Sequence, residues 1–415
     1  MPHPTRREFF ATSALTAASY SRAADKPNDR VRLAVMGLRI RGKQLIPGFA
    51  ALPGVEISHV VDPDPATVKD AVAPLKSAAP AVETDIRKVL DDKSVTAVVV
   101  SAPDHWHALA TIWAAERGKH VYVEKPVSHN LIEGRRMVQA ARKYKVVVQA
   151  GTQRRSASHV AAARDYVQKG LLGKVPFARA WIAGSRKAIG KKAPAAPPPG
   201  VDYSLWQGPA PERPFHPNRF HYNWHWWWDL GTGEIGNNGI HGLDMARNVL
   251  NLDAPTRVSS GGGKYVFDDD QETPDTQTAT FDFPGCTLVW EHRVWEKAGP
   301  ENLSFGVVLH GEKGQLVFND KGWHVRDAEG AKEPNGPDMV KAHQKNFIDA
   351  IRGDAKPAAD IEEGHKSTRL CHLGNIAFRT GKTLKFDAAT ETTDDAAANQ
   401  LLGREYRKGF ELPAV

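Results

Sequence analysis

Val31-Arg32-Leu33-Ala34-Val35-Met36-Gly37-Leu38-Arg39-Ile40-Arg41-Gly42 is the stretch on which the reading of the fold turns. An apolar run ends at one glycine, and a second glycine stands just before a segment of helical character. In a strand–turn–helix unit this is where the pyrophosphate of a dinucleotide meets backbone N–H groups and a helix N-terminus. Gly37 and Gly42 fill the first and third positions of G-x-G-x-x-G. The middle position is Arg39, whose side chain either crowds the close backbone approach that glycine allows or turns outward toward phosphate. Asp62, at the end of the next apolar run, strengthens the reading, because a carboxylate there accepts hydrogen bonds from ribose hydroxyls. It also repels a 2′-phosphate, and Pro63 and Asp64 add no base, so NAD is favoured over NADP. Taken alone, these residues also suit a structural strand-to-helix turn with a capping aspartate.

Outward from this stretch, residues 31–150 alternate short apolar runs with helical segments, as βαβ units do. Strands are expected at 31–36, 55–61, 95–100, 120–123 and 146–149. The run at 95–100 lacks polar alternation, as a strand covered by helices on both faces should. Asp64-Pro65 supplies an N-cap and a proline at N1, and Asn130 with Glu133 resembles a capping box. Beyond residue 151 the pattern changes. A helical segment at 158–169 precedes a Lys- and Pro-rich stretch at 186–200 that reads as a surface loop. A Gly-punctuated helix is expected at 237–250, a hairpin joining 305–310 to 315–318, and helices at 340–351 and 362–380. The expected class is an α/β Rossmann domain (31–150) followed by an α+β domain on a largely antiparallel sheet (151–380) and a polar tail (381–415).

Across the 415 residues, 41% are hydrophobic and 25% charged, the make-up of an ordinary globular protein. The formal charge of +7 is scattered, with no stripe of Lys and Arg among aromatics, which argues against a nucleic-acid partner. Cys286 and Cys371 are too few for a disulfide framework, although one bridge stays open. No run approaches the ~20 apolar residues of a membrane span. Thr5-Arg6-Arg7-Glu8-Phe9-Phe10, a weakly apolar run and Ser21-Arg22-Ala23 together resemble a twin-arginine export signal over residues 1–23. A periplasmic or otherwise exported protein is therefore expected, the plain alternative being a basic N-terminus without structure.

Glu124-Lys125-Pro126 follows the 120–123 run and brings a lysine to the carboxyl edge of the sheet, where open α/β folds place ligands. Partly desolvated beside a cationic nicotinamide, Lys125 would have a lowered pKa and could exchange protons with a substrate hydroxyl. A lysine at a strand end is otherwise simply solvated.

Gly118-Lys119-His120-Val121-Tyr122-Val123-Glu124-Lys125-Pro126, Pro103-Asp104-His105-Trp106-His107 and Gly239-Ile240-His241-Gly242-Leu243-Asp244 together resemble the Gfo/Idh/MocA family over about residues 31–380. The resemblance implies a Rossmann domain, an open-faced sheet domain, a nicotinamide cofactor and sugar-like or polyol substrates. It makes Lys125 the catalytic lysine and His241 the catalytic histidine. The cofactor would be met by Gly37, Arg39, Ile40, Gly42, Asp62, Pro103, His107, Glu124 and Lys125. An open-faced sheet also favours a homo-oligomer. Arg39 and Ile40 stand where the family often has glycine, and Asn237 stands where many members have aspartate, four residues before His241. Asparagine orients a hydroxyl but cannot take its proton.

In this reading His241 accepts the substrate's proton as hydride leaves for the nicotinamide, and Asp244, three residues on, is a candidate for orienting its ring. The aromatic run at 218–229 suits sugar faces, with most of its tryptophans expected in packing and one or two at the site. His221 and His225 have metal-compatible spacing only on a helix, which this run does not resemble, so no metal is expected. Three functions follow: an NAD-dependent carbohydrate oxidoreductase, a redox-neutral lyase or hydrolase using transient oxidation, and a sugar-binding module that keeps the fold.

Overall fold

The computed structural model describes residues 30–75, 79–326, 332–334 and 338–415. The expected export segment, residues 1–23, lies outside the described residues.

Six parallel strands form the N-terminal sheet: β1 (Val31–Met36), β2 (Val55–Val61), β3 (Ala81–Glu83), β4 (Ala97–Val100), β5 (His120–Val123) and β6 (Val148–Ala150). Their order, β3-β2-β1-β4-β5-β6, is that of a dinucleotide-binding sheet, with its switch point between β1 and β4. The crossover helices are α1 (Arg41–Ala50), α2 (Val68–Val72), α3 (Ile86–Leu90), α4 (Asp104–Glu116) and α5 (Leu131–Lys143). Every residue of β4 is buried, as the unbroken apolar run required. Asp64 caps the turn after β2 through the Ala66 N–H, and Asn130 caps α5 through the Glu133 N–H.

The second sheet holds β7 (Phe177–Ala183), β8 (Arg257–Gly263), β9 (Thr276–Phe283), β10 (Cys286–Arg293), β11 (Phe305–Gly311), β12 (Gly314–Asn319), β13 (Gly322–Arg326), β14 (Lys332–Pro334), β15 (Leu384–Asp387) and β16 (Thr392–Thr393). Its order is β14-β13-β12-β11-β7-β10-β9-β8-β15-β16, and only β7 and β10 pair in parallel. The expected hairpin is β11–β12, paired antiparallel from Val307↔Phe318 to Gly311↔Gly314.

Along β9 the residues alternate strictly, with Gln277, Ala279, Phe281 and Phe283 inward and polar side chains outward. The inner face packs on α6 (Ser158–Gln168), α8 (Ile240–Leu250) and α10 (Ile361–Thr380). On the opposite face the apolar cover is small, Trp181, Val308, Val317 and Leu303. Cys286 and Cys371 are both buried and unpaired.

Two features join the halves. Helix α9 (Met339–Arg352) returns to the N-terminal sheet, where the Phe347 ring meets Phe49 at 6.2 Å and Tyr122 at 5.7 Å. Residues 381–415 supply β15 and β16, then the short α11 (Ala396–Gln400). Further on, Phe410 packs edge-on against Trp106 at 5.7 Å.

Candidate active site

The cleft opens at the carboxyl ends of β1, β2, β4 and β5 and runs from Asp62 to Lys125 and Asn237. Gly37 has φ +85°, and a Cβ on it would lie 2.5 Å from the Ala102 nitrogen. A Cβ on Gly42 would lie 2.0 Å from the Gly37 carbonyl oxygen, so Gly42 lets α1 press against the β1 turn while Gly37 lets that turn approach the chain after β4. No side chain caps α1 and no acid sits in its first turn, which leaves its leading N–H groups for a ligand's oxygens. Arg39 and Ile40 are exposed at the rim, so the Arg39 side chain turns outward rather than filling the turn. Asp62 accepts from the Leu38 N–H at 2.8 Å and the Asp64 N–H at 2.9 Å, and burial pushes its pKa up to about 6. A fixed carboxylate beside an uncapped helix start fits the ribose and pyrophosphate of a dinucleotide.

At the far end, Glu124 is buried and accepts from Arg41 Nε at 2.7 Å. Lys125 Nζ donates to the main-chain oxygen of Asn237 at 2.8 Å, and burial lowers its pKa. Pro103 precedes α4 and lines the cleft. His107 also lines it, yet its ring nitrogens lie 2.6 Å from the Pro126 carbonyl and 2.7 Å from that of Ala102. This histidine therefore ties the end of β4 to the lysine turn through both ring nitrogens while its ring lines the cleft. Asp104, buried at the start of α4, accepts from the Thr232 hydroxyl at 2.7 Å, and burial pushes its pKa up to about 7.

The second half of the chain departs from expectation at one turn. The expected helix at 237–250 begins with a π-helical turn, Ile235–Gly239, and only then becomes α8. The wider turn breaks the i, i+4 alignment assumed for Asn237 and His241. Asn237 lines the cleft, whereas His241 is buried behind it. The His241 Nδ1 has no hydrogen-bond partner among the described residues. Burial, and after it Arg154, Lys125 and Arg41, hold this ring well below its usual pKa and so neutral. Asp244 does not orient it: its carboxylate is taken by Arg155 at 2.8 Å and the Ser367 hydroxyl at 2.6 Å.

The aromatic run wraps over the cleft. Tyr222, Trp224 and His225 line it, Trp226 is buried, and Trp227 donates its Nε1–H to the Asn218 carbonyl. His221 and His225 do not share a helix, and no group of three or more metal-type ligands occurs among the described residues. His221 Nε2 instead lies 2.6 Å from Asp64 Oδ2, with both side chains nearly buried. Nearby, the Asp202 N–H donates to the Pro63 carbonyl at 2.9 Å. Within α7 (Tyr203–Gln207), the Trp206 carbonyl takes His105 Nε2 at 3.0 Å and the Trp106 indole N–H at 3.1 Å. Residues 202–225 thus form a clasp from the second half of the chain onto the ribose end of the cleft. No sequence motif signals it, because the partners lie 100 to 157 residues apart.

Such a two-part cleft, with a dinucleotide cradle at one end and a buried lysine at the other, defines a nicotinamide-dependent oxidoreductase. Residues 31–152 match the family model "Oxidoreductase family, NAD-binding Rossmann fold", and residues 180–412 match "Oxidoreductase family, C-terminal alpha/beta domain". The chain belongs to the Gfo/Idh/MocA oxidoreductase family and carries its NAD-binding domain. It is 28% identical over 294 residues to the 1,5-anhydro-D-fructose reductase of Ensifer adhaerens, covering 68% of this chain and 77% of that one. It is 33% identical over 255 residues to the levoglucosan dehydrogenase of Pseudarthrobacter phenanthrenivorans, covering 57% of this chain and 58% of that one. A solved levoglucosan dehydrogenase in complex with NADH and levoglucosan superposes with a TM-score of 0.66 at 19% identity, over 86% of this chain and 99% of that one. That likeness is one of fold.

Proposed function

We propose that this protein oxidises a hydroxyl of a sugar or polyol with NAD and keeps the dinucleotide bound between half-reactions. One observation carries the reading: a single cleft runs from Asp62 to Lys125 and Asn237 beneath the 202–225 clasp. When bound, NAD supplies the hydride acceptor. Asp62 holds the ribose, and Lys125, with its pKa lowered by burial, exchanges a proton with the substrate oxygen at the far end. The His241 ring, neutral behind Asn237, is available as the second acceptor. Relatives named for anhydrofructose, levoglucosan and myo-inositol support the substrate class. Purified protein is expected to release NAD on acid treatment. Added polyols should reduce that bound NAD, seen by its absorbance, without accumulation of free NADH. Sustained, stoichiometric NADH release would sink the retained-cofactor reading.

A redox-neutral variant, in which oxidation acidifies a neighbouring C–H, elimination follows and the hydride is returned, is favoured by Asn237. That residue cannot serve as the proton acceptor that an aspartate there would be. Deuterium placed on the oxidised carbon would then stay in the product.

We further propose export through the twin-arginine route, supported by Arg6-Arg7 and the run that follows. Outside the cytoplasm no nicotinamide pool is replenished, which gives retention its reason. Arg6→Lys with Arg7→Lys should hold the protein in the cytoplasm, as read by fractionation. Unchanged periplasmic accumulation would exclude this route.

A further inference from the structure

His225 lies in the 3-10 turn Asn223–Trp226 and lines the cleft, near enough to Lys125 for that charge to act on its ring. Its Nδ1 is 2.5 Å from the main-chain oxygen of Tyr222. A carbonyl oxygen only accepts, so Nδ1 carries the hydrogen and, in a neutral ring, Nε2 carries the lone pair. Nε2 has no hydrogen-bond partner among the described residues and is not among the buried polar atoms.

The ring cannot swing freely. Trp224 stacks on it with centroids 3.6 Å apart and planes at 19°. Behind it the chain passes so closely that a Cβ on Gly231 would sit 2.7 Å from the His225 Cα and main-chain oxygen. Burial, then Lys125, Arg186 and His107, push its pKa down to about 3, so the ring stays neutral at working pH.

The neighbouring acceptors are already engaged. Glu124 is paired with Arg41, and Asp104 with the Thr232 hydroxyl. Lys125, with its pKa lowered but its Nζ still a donor, and His225 therefore offer complementary partners in the cleft.

We propose that His225 is a substrate-recognition residue whose Nε2 accepts the hydrogen bond of one substrate hydroxyl while Lys125 binds the oxygen of its neighbour, selecting polyols with a vicinal diol. This rests on the reading that the cleft takes a sugar or polyol. A site that spends a fixed acceptor on a hydroxyl discriminates against the analogue lacking it, because the acceptor is then left unpaired.

The test uses the NAD-loaded protein, with levoglucosan and myo-inositol and their monodeoxy counterparts as probes and tryptophan fluorescence as the readout. In the wild type, removal of one particular hydroxyl should weaken binding about five- to ten-fold. In His225→Phe, which keeps a ring to stack on Trp224, that penalty should vanish while those for the other hydroxyls persist. His225→Gln, which retains an acceptor oxygen, should keep part of it and covers the case in which the Phe variant fails to fold. Losses that simply add between protein and ligand changes would overturn the proposal. Nitrogen-15 NMR of the histidine rings, with the His225 signal assigned by its loss in His225→Gln, gives a second reading that needs no substrate. A neutral Nδ1–H ring at pH ~7 is expected for this position, and an Nε2–H or doubly protonated ring overturns the assignment. A wild type that binds no polyol at all would instead defeat the parent reading, and this proposal with it.

Discussion

Lowering the pH from about 6.5 to 4.5 should destabilise the protein, with the thermal midpoint falling through that window. His105, His107, His241, His292, His343 and His372 are all buried. Burial is the largest influence on each and holds each below its ordinary pKa: about 3 for His105 and His372, and about 4 for His292 and His343. The unfolded chain protonates these rings near pH ~6.5 while the folded one does not, so their stabilisation is complete above that pH and is lost as pH falls. Four buried carboxyls act in the opposite sense. Asp62, Asp104, Glu133 and Glu234 are raised by burial, so their folded forms hold protons that the unfolded chain has given up. The depressed rings outnumber the raised carboxyls, so the unfolded state binds more protons as pH falls and stability falls with it. A thermal midpoint that stays level or rises between those pH values would show that these rings are not held neutral.

Lys125→Met should lower turnover by about 10² to 10⁴ and leave the protein folded with its NAD in place. The substitution keeps an unbranched chain in the same buried slot but removes the amine that meets the Asn237 carbonyl. Nothing at the ribose end is touched, since Asp62 and Gly37 lie away from Lys125 in the cleft. The rate of the native enzyme should rise with pH toward the lowered pKa of the lysine, and that dependence should vanish in the variant. Turnover within threefold of the native rate, measured as reduction of bound NAD, would remove Lys125 from the chemistry.

The N-terminal sheet was legible because its signals are local. The 95–100 run without polar alternation, the glycines at 37 and 42 and the aspartate after β2 each report on a few neighbouring residues. Strand β3 escaped notice because only Ala81–Glu83 pair, at an edge where burial is slight. At the site, Lys125 and Asn237 were readable as types, but their relation was not. It depends on a π-helical turn and on a bond to a main-chain oxygen, neither of which a residue pattern encodes. The clasp was hidden for a different reason. His221 and His225 stand four apart in a run without helical character, and one ring reaches Asp64 while the other faces the cleft. The contact partners were set by tertiary packing of the aromatic run.

Helix α9 has a consequence for the order in which this protein comes into being. Phe49 and Tyr122, from the first third of the chain, find their cover in Phe347, and the Leu45 carbonyl takes its hydrogen bond from Gln344. A nascent chain that has emerged only as far as β6 therefore carries a six-stranded sheet with one face still bare of α9. The dinucleotide cradle is drawn early in synthesis, but its supporting face closes only after residue 352 has left the ribosome. A product truncated before α9 is left with Phe49 and Tyr122 lacking their aromatic cover.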